Sequence, residues 1–169
     1  MIDIRKLIAD TTEFFAGDAK RIQHFIKVRS LANLIGGGEG MTDNELNVLD
    51  AAAVVHDVGI RPAEEKYGRC DGKLQEKEGP AVARPLLEGC GATEEQIDRI
   101  CFLIAHHHTY SDMNGLDYQV LVEADYLVNI LEDGITNLNP LREKIFRTNT
   151  GKFFLDWMYM DLEDLNKNK

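Results

Sequence analysis

Apolar residues recur at intervals of three and four along most of this sequence, and no stretch alternates apolar and polar residues between turn formers as a half-buried strand would. That pattern points to a single fold class, all-α, with helix limits set by start and stop signals. A first helix is expected over 2–15, broken by Gly17-Asp18, and a second over 19–35, stopped by Gly36-Gly37-Gly38. Thr42-Asp43-Asn44-Glu45 has the form of a capping box, in which Thr42 accepts the Glu45 N–H and Glu45 accepts the Thr42 N–H, so a third helix should run to about Val55. Pro62, Gly68 and Gly72 predict a long loop over 60–77 with a short helix over 63–67. Helices resume over 78–87, from a second capping box at Thr93-Glu94-Glu95-Gln96 to about 107, over 116–132, and over 152–165 ahead of a polar tail, 166–169. A chain of 169 residues is expected to form one compact domain, 1–169, because at that size roughly 70% of the unfolded surface can be buried without disulfides.

Charge and cysteine usage narrow the function classes. A formal net charge of -10 disfavours duplex nucleic acid as a partner, since that affinity comes from lysine and arginine neutralising phosphates. No run approaches the roughly 18 to 20 apolar residues of a membrane span, and Met1-Ile2-Asp3-Ile4-Arg5-Lys6 lacks the apolar core of a secretory signal, so a cytoplasmic protein is expected. Cys70, Cys90 and Cys101 are odd in number and form no CxxC pair, which argues against both a disulfide framework and a thiolate zinc site.

The chemistry-bearing residues lie on the helices. His24 precedes Val28 and Leu31 by four and seven residues, which puts its imidazole on the apolar face of its helix; a hydrogen-bonded core histidine would account for it taken singly. His56-Asp57 ends the small, β-branched run Ala51-Ala52-Ala53-Val54-Val55, with Gly59 placed for a sharp turn. Asp125 sits in Leu121-Val122-Glu123-Ala124-Asp125-Tyr126-Leu127-Val128, a segment apolar enough that one acid must face inward and need a cation or several donors. Glu123, two positions away and so on another face, is the expected solvent-side acid. Together His24, His56, Asp57 and Asp125 form a nitrogen and oxygen set suited to a divalent ion such as Mn, Fe, Mg, Co or Zn.

This ordered set, with Glu78-Gly79-Pro80 ahead of Ala83 and Leu87, Ile104 before the histidine cluster, and Glu123-Ala124-Asp125, resembles the HD superfamily of metal-dependent phosphohydrolases over about 21–131. The resemblance implies an all-α multi-helix domain whose four residues bind a first metal, with Asp57 able to bridge to a second and to orient the attacking water. For a second ion it offers Glu78, with Gln75 three residues earlier, and His106, His107 and His108, of which His107 has the family's spacing from Ile104. On an ideal helix His106 and His108 point about 100° to either side of His107, so all three face one site only if the helix ends there. His107 is also the candidate proton donor to the leaving group, and one or two ions per chain are expected.

Arg61, Lys66, Arg69, Lys73 and Lys77 concentrate positive charge after the His-Asp pair, with Arg61 and Lys66 the foremost phosphate contacts and Gln75 and His108 further substrate candidates. Tyr67, Tyr110 and Tyr118 could stack on a base or serve as packing. The implied activity is hydrolysis of a phosphomonoester or phosphoanhydride in a nucleotide or small phosphorylated metabolite. A di-iron oxygenase is the second reading and a noncatalytic, metal-stabilised sensor or assembly module the third; a homo-oligomer is compatible with all three.

Overall fold

A computed structural model describes residues 1–159; the far end of the expected last helix, 160–165, and the polar tail lie outside the described residues. The elements are α1 (Ile4–Phe14), α2 (Ala19–Gly38), α3 (Asp43–Val55), α4 (Ile60–Tyr67), α5 (Gly72–Gly89), α6 (Glu94–Ile104), α7 (Leu116–Glu132), α8 (Asn139–Lys144) and α9 (Asn149–Tyr159), with no strand among the described residues. None of these helices is long and apolar enough to cross a membrane.

Five helices begin where a side-chain oxygen accepts a free N–H of the first turn: Asp3 for α1, Asp18 for α2, Thr42 for α3, Asp71 for α5 and Thr93 for α6. Both capping boxes are formed as their sequences suggest. At the centre α2 packs on α3 and α7, burying Val28, Ala32 and Ile35 from one stripe of α2. Each large apolar side chain so buried contributes on the order of 1.5–3 kcal/mol. The run from Ala51 to Val55 is buried on every face, so α3 carries its C-terminal end into the middle of the molecule.

Several boundaries differ from expectation for reasons of packing. Gly36-Gly37-Gly38 does not stop α2 but forms its last turn, because the missing side chains admit neighbours: a Cβ on Gly36 would lie 2.8 Å from Met41 Sδ and one on Gly38 2.6 Å from Thr150 Oγ1. The long loop expected over 60–77 is instead two helices. Gly68, at φ +68°, closes α4 as a left-handed cap, and Asp71 at once starts α5, which continues through Pro80 and Pro85 to Gly89. Gly59 has helical φ and is not needed for a turn; a Cβ there would meet Gln75 O at 2.3 Å, so glycine allows α5 to approach the His-Asp corner. Glu123, expected on the solvent side, is fully buried: it accepts from Gln119 Nε2 at 2.7 Å, Arg147 N at 2.6 Å, Thr148 N at 2.9 Å and the Thr148 hydroxyl. The short α8, with Pro140 at its start and Arg142 and Lys144 in its last turn, lies in a stretch for which no helix is expected above.

Candidate metal centre

Three helices deliver the site. The His24 imidazole comes from the second turn of α2, Asp125 from the middle of α7, and His56-Asp57 from the turn that follows α3. His24 Nε2 lies 3.1 Å from Asp125 Oδ1 and 3.5 Å from Asp57 Oδ2. His56 Nε2 lies 3.3 Å from Asp57 Oδ2, 3.6 Å from Asp125 Oδ1 and 3.2 Å from His24 Nε2. The other oxygen of Asp57, Oδ1, is 3.6 Å from His107 Nε2.

The outer ring nitrogens decide what these groups can bind. His24 Nδ1 donates to Glu132 Oε2 at 2.9 Å, His56 Nδ1 to Ala53 O at 2.8 Å and His107 Nδ1 to Ile104 O at 2.7 Å. Since each of these partners only accepts, the neutral rings carry their protons on Nδ1 and their lone pairs on Nε2. Three lone pairs and two carboxylates therefore converge with no donor between them, and the buried His107 Nε2 has no hydrogen-bond partner. Such a set is repulsive unless it holds a cation. Imidazole nitrogens anchored by outward hydrogen bonds, mixed with carboxylate oxygens, fit a divalent transition ion or zinc.

The protonation equilibria reflect the same crowding: a second proton, taken up on Nε2, would turn His24 or His56 into a donor to the acids. For His24, burial lowers the pKa, but the hydrogen bond to Asp125 and the Asp57 and Asp125 charges outweigh it and the result is raised. His56 is raised well above the usual range, burial being overcome by Asp57 and Asp125. Both carboxylates are held low against burial, Asp57 chiefly by His56 and His107, Asp125 by its hydrogen bonds to His24 and His56. The cluster attracts positive charge, either protons or a metal ion.

A second half-site adjoins the first. α6 ends at Ile104, so His106, His107 and His108 lie in a turn and not on one helix; His107 and His108, with ring centroids 4.0 Å apart, both reach the Asp57 side. Asp57, His107 and His108 have ligand atoms within 4.8 Å of one another. His106 is not brought there: its Nδ1 donates to Phe102 O at 2.7 Å and its ring packs on Phe102. Nor is Glu78, which accepts from Tyr67 Oη at 2.9 Å and from Lys66 Nζ. The position of α5 that faces the site is Gln75, whose Oε1 accepts from His108 Nε2 at 2.9 Å while its amide NH₂ donates to Cys70 O at 2.8 Å. Burial and the neighbouring His107 lower the His108 pKa to about 4, which leaves the ring neutral. His107 is buried, and its Nδ1 donates to Ile104 O.

A cavity of about 400 Å³ opens onto His24, Asp57 and Asp125, and Gln75 and His108 line it. Arg61 and Lys66 do not. Arg61 donates to Phe14 O and covers the Phe14 ring, while Lys66 pairs with Glu78. The basic groups at the cavity are Lys20 and Arg21, and Arg21 is held by Asp18 at 3.0 Å and Glu64 at 2.6 Å. Asn129, Glu132 and Cys70 complete much of the wall. Of these, the α7 residues follow Asp125 at four and seven positions, the one sequence signal that points to them. Tyr118 is buried packing whose hydroxyl donates to His106 O and Thr109 O, pinning the histidine turn.

The model of the HD domain family matches residues 21–130, which contain every residue of this cluster. The chain belongs to the HD domain family. Two solved structures share the HD fold over nearly the full chain. One, described as a predicted HD superfamily hydrolase from an uncultured Thermotogales bacterium, superposes with a TM-score of 0.68 at 23% identity, covering 97% of this chain and 89% of that one. The other, an HD-superfamily hydrolase from Bacillus thuringiensis, has a TM-score of 0.62 at 19% identity and covers 98% and 93%. No curated protein gives a significant match.

Proposed function

We propose that this HD domain is a metal-dependent phosphohydrolase acting on a nucleotide or a small phosphorylated metabolite. The observation that carries the reading is the convergence of three Nε2 lone pairs with two carboxylates, floored by buried side chains and open on one side to a cavity of about 400 Å³. His24, His56, Asp57 and Asp125 would hold a first ion, and Asp57 Oδ1 with His107 and His108 a second. When bound, such an ion supplies Lewis acidity at the phosphoryl group and brings the pKa of water toward neutrality. Asp57, 16% exposed and set between the two half-sites, accepts a hydrogen bond from the attacking water and directs its lone pair into the cavity. Where no second ion is held, His108, neutral and oriented by Gln75, contacts the substrate as a hydrogen-bonding group and not as a charge. Lys20 and the ion-paired Arg21, on the first turn of α2, are the cationic groups at the wall for a phosphorylated substrate to meet.

A screen of nucleotides, dinucleoside polyphosphates and sugar phosphates with Mn, Fe, Co, Mg or Zn, scored by phosphate release, tests this reading. Release that requires added metal, proceeds without oxygen and is lost in Asp57→Ala supports it. Metal binding with no phosphate release from any substrate rejects it, and an oxygen-dependent product would transfer the site to oxygenase chemistry.

A further inference from the structure

The three inward-facing imidazoles differ in what holds their outer nitrogen. His56 and His107 each donate to a backbone carbonyl, whereas His24 donates to a carboxylate, Glu132 Oε2. His24 thus lies between two acids of one helix: Asp125 Oδ1 is 3.1 Å from Nε2 and Glu132 Oε2 is 2.9 Å from Nδ1. These two acids are seven residues apart, two turns along the same stripe of α7, or about 10 Å of helix axis. An imidazole with an oxygen about 3 Å from each ring nitrogen spans about 8 Å, so the side chains have only a small gap to close.

We propose that Glu132 is a positioning residue that sets the affinity of the centre for its metal ion through His24. The proposal rests on the metal-centre reading above. A carboxylate acceptor polarises the Nδ1–H more than a carbonyl does, moves electron density toward Nε2 and strengthens that nitrogen as a ligand. It also locks the tautomer and the ring plane. Glu132 occupies an otherwise unfavourable place for an acid, the last residue of α7, where the helix dipole already presents negative charge. What offsets this is His24 on one oxygen and Lys27 Nζ on the other. A local electrostatic preference is broken at a position from which a carboxylate reaches His24 from behind, as expected of a residue kept for function. With its side chain 12% exposed, the Glu132 contact to His24 is shielded from solvent, while Lys27 on the outer side is open to it.

Titration calorimetry of the full chain, stripped with chelator and titrated with Co²⁺, tests the proposal, with the visible Co²⁺ absorption as a second readout. Glu132→Ala is expected to weaken Co²⁺ binding by about 10–100-fold. Glu132→Gln, which keeps an acceptor oxygen but no charge, is expected to fall between Ala and wild type. The metal-free melting temperature should stay close to wild type, and the Co²⁺ bands should shift in both variants. A merely structural role predicts a lowered metal-free melting temperature with affinity and spectrum unchanged, and that result overturns the proposal. If Glu132→Ala does not fold, the near-isosteric Gln variant carries the test alone. His24→Ala separates the two levels: if it loses Co²⁺ while both Glu132 variants bind within twofold of wild type, Glu132 has no such role. If His24→Ala or Asp57→Ala binds Co²⁺ as wild type does, the metal centre itself is wrong and the inference falls with it.

Discussion

Glu123 and Asp125 stand two residues apart on α7, both buried, and the protein treats them in opposite ways. Glu123 faces the loop before α9, where two backbone N–H groups and a threonine hydroxyl donate to it, joined by the Gln119 amide of its own helix, and Gly151 lies so close that a Cβ there would sit 1.9 Å from Glu123 Oε2. Asp125 faces the α2 and α3 side and meets two imidazole nitrogens whose protons point elsewhere. One acid is satisfied by dipoles within the fold; the other is satisfied only when a proton or a metal ion enters. A buried carboxylate is therefore not itself the mark of a metal site. The number of donors already aimed at it distinguishes the two cases.

The contrast is broken most forcefully at the structural acid. Glu123→Ala leaves four donors unpaired in the interior and is expected to cost about 3–5 kcal/mol in denaturant unfolding, with metal affinity in the folded fraction unchanged. A loss below about 1 kcal/mol would show that its donors find other partners. Asp125→Asn is expected to do the reverse: metal affinity drops by more than about 100-fold, beyond what loss of an outer hydrogen bond costs, while the metal-free protein melts within a few degrees of wild type. Equal stability losses in the two variants would erase the distinction.

The third and smallest effect concerns pH. His24 and His56 are raised, so the stability they lend the metal-free protein is fully present below about pH 6.5 and is lost as pH rises through their folded values. Asp57 and Asp125 are depressed; their contribution is present above about pH 4 and lost as pH falls through their folded values. The metal-free centre is thus best satisfied between those limits, where it holds protons, and metal must displace them. The rise in melting temperature on adding Mn²⁺ should be a few degrees larger at pH 8 than at pH 5.5. Glu123 bonds to none of the four ligands, so Glu123→Gln should retain the pH dependence and Asp125→Asn should flatten it. A gain equal at both pH values would remove proton competition from the centre.

Much of the scaffold was legible because local signals and tertiary packing agree. The capping boxes at Thr42 and Thr93 start helices in any context, and the limits of α7, 116–132, follow from an apolar segment bounded by Gly115 and Asp133-Gly134. The gathering of His24, His56, Asp57 and Asp125 was legible from the resemblance of their ordered set to the HD superfamily, with apolar runs around them that favour carrying them inward. The glycines misled, since a glycine that frees the backbone and one that admits a neighbour look alike in sequence: Gly36, Gly38, Gly59 and Gly72 serve close approach, Gly72 against the His108 ring. The basic run from Arg61 to Lys77 misled as well, because its charges pair locally with Glu65, Glu78, Asp71, Glu76 and Tyr67.

By itself the sequence determined that the chain is all-α, where its strongest helices begin, and that two histidines and two aspartates on apolar segments must enter the interior. Periodicity and capping are properties of neighbouring residues, and burial of a polar group follows from the residues around it. Only the tertiary structure decided which buried acid would be satisfied by the fold and which left waiting for a cation. The answer depends on donors that arrive from 24 and 25 residues away at Glu123, and on imidazoles from 101 and 69 residues away at Asp125. It likewise chose His107 and His108 over His106 by ending α6 at Ile104, and put Gln75 where Glu78 was expected by starting α5 at Gly72.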